Sequence, residues 1–199
     1  MDKLSQALLV LVLILFSLYL PLDNSSYVPW DFKTIIDDFI PLWTPFVVIY
    51  LSYFLLLAVT CFYFIHNKLI SELKVGLLGI TISTVAAYVT YLFFQSEVVR
   101  PIIENRNIFD FLYLKLNDFV KPYNAFPSLH VAISAICALG YWRAKSRLFQ
   151  PMLFWIILII FSTVLTKQHY FLDVAAGIVL AIFSFNISSS LLGKYSKMR

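Results

Sequence analysis

Six long apolar runs, separated by polar segments, set the pattern of this chain: 4–20, 45–64, 75–94, 127–142, 149–166 and 170–192. The shorter runs of 16–18 residues reach only about 24–27 Å at ~1.5 Å per helical residue, workable for a ~30 Å hydrocarbon core with help at the interface. The pattern predicts an all-α integral membrane protein, six transmembrane helices forming one domain over residues 1–199. The first run follows Lys3 as a secretory signal would, but no small-x-small cleavage pattern follows and Pro21-Leu22-Asp23 closes it, so it reads as a retained span. Gly76 and Gly79 suggest close helix packing in the third run.

Two of the polar connections carry patterns of their own. In 21–44, Phe32, Ile35, Ile36, Phe39 and Ile40 keep helical spacing, with Lys33, Asp37 and Asp38 opposite and Tyr27, Trp30 and Trp43 as flanks. That predicts a short helix lying in the membrane interface. In 95–126, Ile108, Phe111, Leu112, Leu116 and Phe119 form one apolar stripe, and a second interfacial helix is expected, with Asp110 and Asp118 on its solvated face. A structured loop this long commonly carries function.

Composition agrees with the pattern. The chain is 61% hydrophobic and 13% charged, about half the charge of a soluble domain. Cys61 and Cys137 fall inside apolar runs and offer neither a disulfide framework nor metal-ligand spacing. No basic tract interleaved with aromatics supports nucleic-acid binding. Charge distribution says more than the net +4: nine basic residues against two acidic lie on the side of the termini, six against nine on the other. The positive-inside rule then places both termini in the cytoplasm. Arg100, His130, Lys167 and His169 fall on the extracytoplasmic side, and His66 stands alone at a membrane edge.

Chemistry concentrates in two stretches of that face. In Thr166–Asp173, His169 and Asp173 are four apart and share a helix face. A carboxylate one turn from an imidazole holds its tautomer and stabilises its charged form, and Lys167 adds a cation. The same residues also fit a polar cluster capping a helix among headgroups. The fourth run opens Phe126-Pro127-Ser128-Leu129-His130: proline suits a helix start, and the N-terminal amides suit a phosphate. With Arg100 at the end of the third run, two histidines and several cations at one depth could serve phosphoryl transfer, one imidazole as nucleophile and the other as general acid.

Arg100-Pro101, then Pro127-Ser128-Leu129-His130, then Ser162 through His169 to Asp173 resembles the three-part signature of the type-2 phosphatidic acid phosphatase superfamily. The resemblance covers Arg100 to about Gly177, with the first three spans matching only as architecture. It implies a metal-independent membrane lipid phosphatase without cofactor, removing phosphate from a lipid phosphate or pyrophosphate through a phosphohistidine. By the same resemblance His169 is the nucleophile, Asp173 its orienting carboxylate and His130 the acid–base. Arg100, Ser128, Lys167 and the Leu129 backbone would hold the phosphate. Three positions depart from the pattern: Phe93 stands where a lysine is usual, Leu129 for a glycine and Thr163 for an arginine. Two usual cations are thus absent, for which Lys167 and Arg106 are candidate replacements. Phe-Pro-Ser-Leu-His with His-Tyr-Phe-x-Asp also resembles inositol phosphorylceramide synthases, which transfer a phosphorylated headgroup between lipids. A non-catalytic structural membrane protein is a further alternative. A transporter would need charges in mid-span, whereas here they sit at span ends.

Overall fold

The computed structural model describes residues 1–19 and 29–197, with side chains through 192. Tyr27, the end of the first run at Leu20 and the terminal Arg199 lie outside the described residues.

Helices fall at all six apolar runs: α1 (Lys3–Ser17), the contiguous pair α3 (Phe46–Leu51) and α4 (Tyr53–His66), α5 (Ile70–Phe93), α7 (Leu129–Arg143), α8 (Phe149–Leu165) and α9 (Phe171–Lys197). Among the described residues three stretches are long and apolar enough to cross a membrane: Phe46–His66, Ile70–Phe93 and Phe171–Leu192. Lys3–Ser17 and Phe149–Leu165 are shorter apolar helices. α5 begins five residues before the apolar run because its polar start is ion-paired: Lys74 meets Asp2, and Glu72 lies 3.9 Å from Arg143. Hydropathy stops at charges; backbone hydrogen bonding does not.

α5 is the central helix, packed on α1, α7 and α9. Its Gly79 gives close contact, since a Cβ there already meets Ser188 Oγ at 3.5 Å and Ile136 at 3.7 Å, whereas Gly76 faces open space. The tighter glycine is Gly177 of α9: a Cβ would stand 2.7 Å from the Ser128 carbonyl oxygen and 3.0 Å from Val131. Its absence lets the start of α7 press onto α9.

At the far end of the bundle from Asp2, Glu72 and Arg143, the polar connections fold back as a roof. The expected interfacial helix over 32–40 is shorter than its spacing suggested. Trp30–Asp31 forms a strand, β1, paired in parallel with β2 (Ser96–Glu97), and only Ile35–Phe39 is helical, as α2. Ile35 and Phe39 are exposed as expected of an interfacial face, but Asp37 is turned inward and buried. The second predicted helix is present as α6 (Ile108–Phe119). Its stripe divides between two apolar surroundings: Leu112 and Leu116 pack on Val47 and Tyr50, while Ile108, Phe111 and Phe119 face outward. Asp110 is not on a solvated face. It is buried, accepting hydrogen bonds from Thr44 Oγ1 at 2.7 Å and Asn107 Nδ2 at 2.7 Å, while Asp118 stays exposed beside Lys115.

Candidate active site

His130 and His169 reach the same place from different helices. α7 starts after Ser128, whose Oγ accepts the Val131 amide as an N-cap, so His130 occupies the first turn. α8 ends at Leu165, and Lys167 takes a left-handed conformation (φ 50°) that turns the chain toward α9. His169 lies in that turn, two residues before α9 begins, so it does not share a helix face with Asp173 as the four-residue spacing predicts; the chain reversal brings the two together instead. The two imidazole centroids are 6.0 Å apart, close enough for both rings to touch one small anion. Both rings line a cavity of about 370 Å³ with Arg100, Lys121, Leu129 and Gln168.

The His169 ring is held by the backbone. Its Nδ1 lies 3.0 Å from the Ala125 carbonyl oxygen. A carbonyl only accepts, so Nδ1 carries the proton and Nε2 keeps its lone pair. Asp173 Oδ2 is 3.6 Å from the same Nδ1 and receives the Tyr170 amide at 2.7 Å. Orientation and charge therefore come from two groups: the Ala125 carbonyl fixes the ring, and Asp173 supplies a negative field. Asp173 is fully buried, its Oδ1 has no hydrogen-bond partner among the described residues, and its carbonyl accepts the Ser128 amide at 3.1 Å. That last bond joins the starts of α7 and α9 directly.

Ala125 is itself fixed. Ser96 Oγ accepts the amides of Ala125 at 2.9 Å and Phe126 at 2.7 Å, and Phe32 stacks on Phe126. His130 lies between aromatic rings, its centroid 4.5 Å from those of Tyr50 and Tyr53, with the Tyr50 hydroxyl 3.4 Å from Nδ1. Tyr50 and Tyr53 are three apart on one face of the second span, a spacing visible in the sequence. Nothing local marked Ser96 or Ala125.

The other predicted site residues divide. Arg100 braces the cavity wall, donating to the Val120 and Lys121 carbonyls and to Gln168 Oε1 at 2.7 Å; Gln168 donates in turn to Asn117 Oδ1 at 2.8 Å. Leu129 lines the cavity, whereas Ser128 is fully buried as a cap behind it. Lys167 does not line the cavity: its ammonium donates to the carbonyls of Asp37 at 2.9 Å and of Ile40. Burial lowers its pKa, partly offset by the Asp37 charge. Arg106 pairs with Glu104 in solvent and is likewise not in the lining. Lys121, unremarked in the sequence, is.

The sequence profile of the PAP2 superfamily matches residues 31–187. The fold is similar to that in the crystal structure of Aquifex aeolicus LpxE, with a TM-score of 0.55 and 21% identity, over 88% of this chain and 94% of that one. No curated protein matches the sequence.

Proposed function

The chain belongs to the PAP2 superfamily, and from that premise we propose that it is a membrane lipid phosphatase working through a phosphohistidine on His169. One observation carries the reading: two imidazoles from separate helices open into one cavity 6.0 Å apart, one with its proton held on a backbone carbonyl.

His169 Nε2 attacks phosphorus, and the bond from phosphorus to the lipid oxygen breaks. His130 gives its proton to the departing alkoxide. A water then enters; His130 removes its proton, the hydroxide attacks phosphorus, and the N–P bond breaks to free inorganic phosphate and His169. Positioned acid–base help of this kind is worth ~10²–10⁴-fold. The buried Asp173 carboxylate stabilises the positive imidazole of the intermediate. Arg100 and Lys121 supply positive charge at the cavity, and Leu129, in the lining and first in α7, offers an N-terminal helix amide to the oxygens. Lys167 is left out of that set because, unlike Arg100 and Lys121, it does not line the cavity, and its ammonium rests on the carbonyls of Asp37 and Ile40. No metal takes part, and turnover should survive EDTA.

The chain crosses the bilayer six times, both termini are cytoplasmic, and the site lies at the outer leaflet, where a substrate's tail stays in lipid while its phosphate enters the cavity. The reaction is tested by phosphate release from polyisoprenyl pyrophosphate, phosphatidylglycerol phosphate, phosphatidic acid and a phosphorylated glycolipid, with His169→Ala as control. Release by the wild type and none by the variant is expected; full activity of the variant on these lipids would overturn the assignment. A new phosphorylated lipid on thin-layer chromatography, without free phosphate, would make the enzyme a headgroup transferase.

A further inference from the structure

Asp37 lies far from both motifs in the sequence, on the polar side of the predicted interfacial helix, yet it is 3% exposed and fully engaged. Its Oδ2 accepts the Thr34 amide at 2.8 Å and the Thr34 hydroxyl at 2.7 Å, closing a capping box on α2. Its Oδ1 accepts the Phe171 amide at 2.8 Å, across 134 positions of sequence. Phe171 is the first residue of α9, so that amide is one of the helix's unpaired N-terminal donors, and a carboxylate there is also favoured by the helix dipole. Asp37 thus caps α9 from another part of the chain, while Asp173 takes the preceding amide from within.

Two further ties join the same segments. Lys167 Nζ donates to the carbonyls of Asp37 and Ile40, at the end of α2. The Trp43 amide donates to the Leu165 carbonyl at 2.8 Å. The turn is therefore gripped at Leu165, at Lys167 and at Phe171, on both sides of His169. Lys167 also holds an uncommon backbone conformation for a residue with a Cβ, φ 50°, a conformation that persists where the surroundings determine it.

We propose that Asp37 and Lys167 are positioning residues: the segment from Thr34 to Trp43 is a strap that clamps the turn 165–171 and fixes where His169 meets phosphorus. Neither residue touches the reacting atoms. The inference rests on the phosphohistidine reading for its catalytic consequence, but the clamp is measurable without activity.

The test uses the full-length protein in lipid nanodiscs. Amide hydrogen exchange over 165–173 should accelerate at least about tenfold in Asp37→Ala and less in Asp37→Asn, which keeps an oxygen for the Phe171 amide. Turnover of the best lipid phosphate from the screen above is counted per site that binds orthovanadate, so that misfolded protein drops out. It should fall about 10–100-fold in Asp37→Ala with KM nearly unchanged, the scale expected of a misplaced reacting group, and recover partly in Asp37→Asn. Lys167→Gly, which tolerates the left-handed turn, should lower kcat while orthovanadate affinity stays within about twofold. Unchanged exchange in Asp37→Ala would overturn the clamp. Faster exchange with wild-type turnover per site would overturn the positioning role. A tenfold loss of orthovanadate affinity in Lys167→Gly with unchanged exchange would return Lys167 to phosphate contact and overturn the assignment. An active His169→Ala would instead remove the phosphatase reading, leaving the exchange result to decide the clamp separately.

Discussion

The crossing of α7 and α9 and the roof formed by 30–43 and 95–126 do different work at one site. The crossing brings the groups proposed to react: His130 and Asp173 sit in the first turns of their helices, His169 just before one, and the Ser128 amide bonds the Asp173 carbonyl across the gap that Gly177 leaves. The roof contributes the cavity cations Arg100 and Lys121, and otherwise orients what lies below: Ser96 holds the Ala125–Phe126 amides, Ala125 holds the His169 ring, and Asp37 caps α9. Helix ends supply charge and unpaired amides at a fixed depth, but they do not set the angle of an imidazole. Short hydrogen bonds from an ordered loop do.

The largest effects are expected at the crossing. Asp173→Asn keeps an oxygen for the Tyr170 amide but loses the buried negative charge. Turnover should drop on the order of 10²–10⁴-fold with the fold retained, as when the carboxylate behind a catalytic histidine is neutralised; rapid-quench measurement of phosphoenzyme formation checks it. Gly177→Ala forces a methyl against a backbone oxygen 2.7 Å away. α7 must shift, at a cost of about 1–3 kcal/mol for overpacking and roughly 10²-fold in kcat for misplaced groups, read by thermal unfolding in detergent and by kinetics.

A smaller effect belongs to the roof. Ser96→Ala leaves two amides without their acceptor in a buried place, costing about 1–3 kcal/mol. It should lower kcat roughly tenfold with KM little changed; a loss equal to that of Asp173→Asn would show that the two regions do not differ as described. Smallest is Arg106→Ala. Its partner is Glu104, the two side chains 76% and 80% exposed, and such pairs contribute about 0–1 kcal/mol. Activity should stay within about twofold in the same phosphate-release assay, and a larger loss would mean that a loop cation outside the cavity lining reaches the substrate.

Much of this could be read from residue order because it depends on local rules. Six apolar runs became helices and α6 formed where its stripe lay, while His169 and Asp173 meet at 3.6 Å with His169 outside the helix that carries Asp173. What could not be read were the partners of the polar groups. Asp37 and Asp110 looked solvated because helical spacing reports which residues share a face, not what later covers that face. Lys167 looked like a phosphate ligand because charge and proximity to His169 are visible along the chain, while the carbonyls that take its ammonium lie about 130 residues away. Lys121 went unremarked for the converse reason, since the loop that carries it to the cavity is braced by Arg100 from 21 positions upstream. Periodicity thus specified the helices, because each of them is satisfied within a turn or two. The aim of the imidazoles and the identity of the cavity cations came from folding, because buried donors and acceptors take whichever partners the packed chain brings within reach.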